Sequence, residues 1–199
     1  SGLRVNALLN KAQSLRISMI CPLHGLIWRK DIDNLIQKYA KWSAYEPEIK
    51  GVLIAYSSVY GNTQSAAEIV ANRLGEQGVK NIQMYDVSVT HPSYVVAEAF
   101  RYSHIVFATT TYNGGIFVTM ENLLLDLKAH NLQNRTVALI ENGTWAATAA
   151  GQMKNILSSM KGMNVIANPV TLKSSVKPEK RDELIALADA ICETLKKRY

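Results

Sequence analysis

The chain has 199 residues, 48% of them hydrophobic and 19% charged, enough for one packed domain and an appendage. No apolar run approaches the length of a membrane span and no signal-peptide pattern opens the chain, so no membrane partner is expected and a cytoplasmic location is. The formal charge of +6 is lopsided: residues 1–50 hold 8 basic and 4 acidic side chains, the remainder 14 and 12, and no basic stripe carries interleaved aromatics, which disfavours nucleic-acid binding.

Ser1-Gly2 reads as an added scar. A basic helical pattern follows (Val5, Leu8, Leu9, Ala12, Leu15), then a short apolar run from Ile17 to Cys21. Pro22-Leu23-His24-Gly25 breaks it, a second amphipathic helix is expected around Asp31 to Trp42, and Glu46-Pro47-Glu48 reads as a linker. Residues 1–49 are therefore taken as an appendage and 50–199 as the main domain. Cys21 and Cys192 have no metal-like spacing and suggest a reducing compartment, each expected as a small buried hydrophobe.

From residue 50 the pattern alternates. Strands are expected near 51–56, 81–86, 104–110, 136–141 and 164–172, and helices near 63–77, 93–102, 119–130, 146–161 and 178–197. Pro92 and Pro178 stand where helices should start, and His91 is expected to cap the first of these. His104 should start a strand and His130 should end a helix. Ile105-Val106-Phe107-Ala108 and Val137-Ala138-Leu139-Ile140 are apolar throughout, as a parallel sheet covered on both faces requires. The expected fold is α/β, a doubly wound five-stranded parallel sheet with helices on both faces. An order of 2-1-3-4-5 would bring the ends of strands one, three and four together.

Those three ends carry the candidate site. After strand one comes Ser57-Ser58-Val59-Tyr60-Gly61-Asn62-Thr63, a hydroxyl-rich turn opening a helix. Free backbone N–H groups and the positive end of the helix dipole make such a turn an anion site. With no Lys or Arg in it, the expected guest is a phosphate monoester held by neutral donors, Ser58, Thr63 and the Asn62 amide among them. A triphosphatase loop would need a Lys beside its Ser/Thr, and a dinucleotide fingerprint would need three spaced glycines. An ordinary helix cap is the plain alternative. After strand three comes Thr109-Thr110-Thr111-Tyr112-Asn113-Gly114-Gly115, and after strand four Glu141-Asn142-Gly143-Thr144-Trp145. Tyr112 and Trp145 could flank a flat ring while the glycines let backbone approach its edge.

This loop set resembles that of the flavodoxin-like family, which binds flavin mononucleotide (FMN) non-covalently. The resemblance implies that Ser57, Ser58, Tyr60, Asn62 and Thr63, with the backbone of Val59 and Gly61, hold the phosphate. It places Tyr112 and Trp145 beside the isoalloxazine, with Thr110, Thr111 and Gly115 flanking. Asn113-Gly114 matches a peptide that turns over to accept a hydrogen bond from N5, and Asn142, Gly143 and Thr144 a loop at the pyrimidine edge. Glu141 is the only acidic residue of the ring loops, so a modest electrostatic opposition to flavin reduction is expected.

Within that family, Asn142-Gly143-Thr144-Trp145, Thr111-Tyr112-Asn113-Gly114 and Thr90-His91-Pro92-Ser93-Tyr94 resemble the C-terminal domain of flavodiiron proteins. Ile20-Cys21-Pro22-Leu23-His24-Gly25 resembles the last strand and loop of their metallo-β-lactamase-like domain, where the His matching His24 is a di-iron ligand. The remaining ligands are absent from this sequence, and one His cannot hold two irons. The chain thus reads as a flavodoxin-like domain carrying a tail of that second domain, an electron carrier rather than a complete oxygen or nitric oxide reductase. The resemblance implies a rubredoxin or a flavin reductase as electron donor, and a homodimer in which whole members pair head to tail. A flavodoxin-like NAD(P)H:quinone reductase and a non-redox phosphate-ligand module are the competing readings. A two-component receiver is disfavoured, since Tyr56-Ser57-Ser58 and Thr109-Thr110-Thr111 stand where it needs acidic residues.

Overall fold

A computed structural model describes residues 2–197; Ser1, Arg198 and Tyr199 lie outside the described residues. The first strand, β1 (Ile49–Tyr56), runs parallel to β2 (Ile82–Asp86) on one side and β3 (Tyr102–Tyr112) on the other. Beyond β3 lies β5 (Arg135–Asn142), also parallel. Crossovers are supplied by α3 (Asn62–Glu76), α4 (Pro92–Arg101) and α5 (Val118–Ala129).

Two details depart from the expected five strands in order 2-1-3-4-5. A two-residue strand, β4 (Gly115–Ile116), folds back antiparallel on β3, and the fifth strand is split into β6 (Met163–Val165) and β7 (Val170–Leu172). Both pieces pair with β5, β6 at Arg135 to Val137 and β7 at Ile140 to Asn142, giving seven strands with path β2-β1-β3-β5-β6. The split follows from Ala167, whose φ of 58° leaves the extended region, and from Pro169, which has no N–H for a ladder. The doubly wound order survives, because β4 and β7 add to strands already in place.

The apolar strands serve two cores by simple alternation. Leu53, Ala55, Ile105, Phe107, Val137 and Leu139 face α4, α5 and α6 (Ala149–Ser158). Their neighbours Val52, Ile54, Val106, Ala108, Ala138 and Ile140 face α3 and α7 (Pro178–Lys196). Arg73 of α3 ties to Asp189 of α7 through two hydrogen bonds of 2.8 and 3.1 Å. The Pro-initiated helices begin where expected: His91 caps α4 by accepting from Ser93 N–H at 3.3 Å, and His130 is the C-cap of α5. His104 lies inside β3 and is 2% exposed. Its Nδ1 meets Ser103 Oγ at 2.7 Å and its Nε2 meets Thr194 Oγ1 at 3.1 Å. Burial, helped by Lys50, pulls its pKa down to about 4.

The appendage folds as two helices, α1 (Gly2–Ala12) and α2 (Ile32–Ala44), packed together with Ser43 bonded to Asn6. Between them Ile20 and Trp28 form one antiparallel bridge around the Pro22–Gly25 turn. The carbonyl of Tyr45, just past α2, accepts from the buried Arg135 guanidinium at 2.8 Å. That guanidinium also donates to Ala99, Phe100, Gln133 and Asn134 carbonyls, so it locks the end of α2 onto the sheet domain. Cys192 is buried in α7 as expected, whereas Cys21, next to the isolated Ile20–Trp28 bridge, is exposed.

Candidate functional site

The C-terminal ends of β1, β3 and β5 surround a cavity of about 270 Å³. The turn after β1 forms one wall. Gly61 is the N-cap of α3 with φ 84°, a left-handed backbone where glycine is favoured, and its carbonyl accepts from Ser65 N–H at 2.9 Å. This aims the first turn of α3 at the cavity. Ser58, Val59, Tyr60, Asn62 and Thr63 line it. Ser57 does not: it is fully buried beneath the turn, its N–H donating to Ala108 O at 2.9 Å and its hydroxyl 2.7 Å from Thr109 Oγ1. Thr63 is also buried and sits 3.1 Å from Thr110 Oγ1, pinning the turn to β3.

Ser58 stands apart. Its Oγ is buried and has no hydrogen-bond partner in the protein. Buried hydroxyls are nearly always satisfied, and an orphan one costs about 1–3 kcal/mol. It is a donor waiting for an acceptor in the cavity it lines.

The second wall comes from β3. Thr109 to Tyr112, expected as loop, continue the strand; Tyr112 pairs with Gly115, leaving Asn113-Gly114 as a two-residue hairpin turn with φ 49° and 72°. Thr110, Thr111 and Tyr112 line the cavity, while Asn113, Gly114 and Gly115 form the hairpin tip outside its lining. Tyr112 is edge-on to Phe117 at 5.7 Å, which holds its ring. Thr111 Oγ1 accepts from the N–H groups of Thr148 and Ala149 at 3.1 and 3.3 Å, capping α6. The Gly114 carbonyl accepts from Thr148 Oγ1 at 2.9 Å and from Gln152 Nε2 at 2.7 Å, so α6 clamps the hairpin.

The third wall follows β5. Asn142, Gly143, Thr144 and Trp145 line the cavity, with Trp145 99% exposed. A Cβ at 143 would come within 3.0 Å of the Ala147 backbone, so the loop packs closely at this glycine. Glu141 lies outside the lining and is buried. It accepts from Ala150 N–H at 2.7 Å and Thr171 Oγ–H at 2.8 Å, a carboxylate set against the positive end of α6 rather than a charge facing a ring.

The cavity also has a lining residue that sequence reading passed over, Ser174, in the loop after β7. The signal was available: Lys173-Ser174-Ser175 puts hydroxyls at the same sheet edge as the other loops. Among the described residues the cavity lining includes no Lys or Arg. His24 lies in the exposed Pro22–Gly25 turn, and among the described residues no three His, Cys, Asp or Glu side chains gather as a metal site.

The comparisons agree with this architecture. The flavodoxin family pattern matches residues 54–196. A nitric oxide reductase of Moorella thermoacetica is 28% identical over 156 residues, 78% of this chain and 38% of that protein. An anaerobic nitric oxide reductase flavorubredoxin of Aeromonas hydrophila is 23% identical, over 83% of this chain and 33% of its own length. The chain thus spans less than half the length of these curated relatives. Rubredoxin oxygen:oxidoreductase from Desulfovibrio gigas shares the fold over 98% of this chain and 48% of its own, with TM-score 0.86 and 23% identity. An archaeal flavodoxin shares it over 75% of this chain and all of its own, with TM-score 0.64 and 20% identity. The D. gigas likeness therefore takes in the α1–α2 appendage, while the flavodoxin likeness stops at the sheet domain, in step with the family pattern. The chain belongs to the flavodoxin family.

Proposed function

We propose that this chain holds FMN non-covalently in the cavity between the β1, β3 and β5 loops and serves as an electron-transfer domain. The orphaned Ser58 hydroxyl carries this reading. It is a buried donor in a cation-free turn at a helix N-terminus, which suits a phosphate monoester, and the same cavity is bounded by two aromatics. FMN, when bound, supplies one- and two-electron chemistry, and the protein supplies binding, orientation and electrostatics.

In this reading Ser58, Asn62 and Thr63, with backbone N–H groups of the turn, take the phosphate. Tyr112 and Trp145 wall the ring, and the β5 loop offers backbone groups at Gly143 and Thr144. The Asn113-Gly114 peptide is the movable element of the hairpin, since the following carbonyl is already fixed by Thr148 and Gln152. Glu141 is engaged with α6 and Thr171, so its carboxylate adds little to the field at the ring. The related flavorubredoxin and rubredoxin oxygen:oxidoreductase suggest a rubredoxin-type donor or a flavin reductase as the electron source. In a longer flavodiiron-type protein the α1–α2 appendage would be the tail of a metallo-β-lactamase-like domain, with His24 among its di-iron ligands and reduction of oxygen or nitric oxide as the overall activity. Head-to-tail pairing would then bring one subunit's flavin to its partner's irons.

The test is direct. Purified protein titrated with FMN should quench flavin fluorescence stoichiometrically and shift the visible bands. No bound flavin on purification together with no uptake on titration would overturn the reading.

A further inference from the structure

Ser174 sits in a left-handed backbone conformation, φ 71°, which a non-glycine residue adopts at a cost of order 1–3 kcal/mol unless its surroundings impose it. Here Asn142 imposes it. The Asn142 amide donates to the Ser174 carbonyl and accepts from the Ser174 N–H, both at 2.9 Å, so both faces of that side chain are spent on one neighbour. Asn142 is the last residue of β5 and is buried. Its amide is thereby fixed in orientation by the Ser174 backbone. What the clamp presents is the Ser174 hydroxyl, which lines the cavity and accepts from Asn62 Nδ2 at 3.3 Å. A hydroxyl that accepts in this way keeps its own hydrogen to donate. Asn62 is the first residue of α3, so that hydrogen is available on the turn side of the cavity, across from the unpartnered Ser58 hydroxyl.

We infer that the β7–α7 loop is a fourth ligand-binding loop, in which Ser174 donates a hydrogen bond to the phosphate end of the bound flavin nucleotide and Asn142 is the residue that positions it. This rests on FMN being the ligand. It gives Asn142, expected as a ligand contact, a positioning role as well. The arrangement joins the end of β5 and the start of α3 through one residue, Ser174, so the turn after β1 and the fourth loop are set together before the ligand arrives.

The experiment compares FMN with riboflavin, which carries the same ring without the phosphate. Ser174→Gly is the informative variant, because glycine suits φ 71° and only the hydroxyl is lost. It should weaken FMN about tenfold or more and leave riboflavin within about twofold. Ser174→Thr should restore most of the FMN affinity. Asn142→Ala should lower the FMN-to-riboflavin preference as Ser174→Gly does, and the double variant should be no worse than the worse single one. If the wild type binds FMN but Ser174→Gly binds it equally well, the fourth-loop assignment fails. If riboflavin affinity falls in parallel with FMN, Ser174 acts on the cavity as a whole and the assignment also fails. If the wild type binds neither compound, it is the FMN reading that falls.

Discussion

Ser58→Ala separates a ligand-binding donor from a structural one, because the two roles predict opposite signs. In the ligand-free protein the Ser58 hydroxyl is buried without a partner, so deleting it removes a desolvation penalty rather than a contact. Unfolding stability should stay level or rise by up to about 1 kcal/mol, as expected when an orphan polar atom is replaced by an apolar one. The bound state should respond the other way. A hydrogen bond to a charged acceptor contributes about 1.5–3 kcal/mol, so FMN affinity should drop roughly 10- to 100-fold. At a flavin concentration about 100 times the wild-type Kd, ligand stabilises the wild type by about 2.7 kcal/mol. By the same relation the variant would gain about 1.4 kcal/mol at a tenfold loss and about 0.4 at a hundredfold loss. Denaturant unfolding of the flavin-free protein and fluorescence titration with FMN measure the two halves independently. A variant destabilised by more than about 1 kcal/mol without flavin, yet binding FMN as tightly as the wild type, would refute the reasoning.

Other perturbations test other parts of the structure. Trp145→Ala should leave flavin-free stability within about 0.5 kcal/mol, since the side chain is 99% exposed, while FMN affinity falls about three- to tenfold from lost ring contact; equal affinity in a titration would remove Trp145 from the site. His104 is neutral in the fold down to about pH 4 but protonates near 6.5 when unfolded, so the unfolded chain binds the extra proton within that window. Stability is therefore full above pH 6.5 and is lost as pH falls toward 4, by at most about 3 kcal/mol, and His104→Gln should flatten that slope in denaturant titrations across the window. Arg135→Met orphans carbonyls at Tyr45, Ala99, Phe100, Gln133 and Asn134, and should cost about 3–5 kcal/mol with α2 losing hydrogen-exchange protection first; a loss under about 1 kcal/mol would show that the guanidinium is not what joins appendage to domain.

The main architecture was readable because it is written in runs: apolar strands, helical spacing, and prolines at the starts of α4 and α7. The strand–turn–helix at Ser57 to Thr63 was readable because its signal is local, an apolar strand feeding hydroxyls into a helix N-terminus. What stayed hidden was long-range. No charge near Arg135 in the sequence marks it as a buried cation, since its carbonyl partners come from three segments, after α2, at the end of α4 and just before β5. Asn142 belonged to a loop that matched a flavin-contacting one, and only the arrival of β7 shows its amide spent on Ser174. Thr111, which lines the cavity, also caps α6, and Glu141, the acidic residue of the ring loops, anchors that helix; neither long-range role shows in the sequence. The split of the fifth strand had a local cause in Pro169, but a run of apolar residues to either side concealed it.

These long-range pairings divide the site in two. On the side of α6, several polar groups of the ring loops are already engaged: Thr111 Oγ1 accepts from the helix N–H groups, the Gly114 carbonyl from Thr148 and Gln152, and Glu141 from Ala150 and Thr171. That side is a wall set before any ligand binds, and it meets a ring with the aromatic faces, the Asn113-Gly114 peptide and the backbone of Gly143 and Thr144. On the side of α3 the balance is reversed, with a buried Ser58 hydroxyl lacking an acceptor and a Ser174 hydroxyl holding a hydrogen to give. A ligand that completes this structure must bring its acceptors to one end and its flat apolar surface to the other. Binding strength then resides at the phosphate end, while the environment of the ring is set by groups that do not rearrange when it arrives. Substitutions on the α3 side should accordingly move affinity with little change in flavin potential, and substitutions in the hairpin should move potential with little change in affinity.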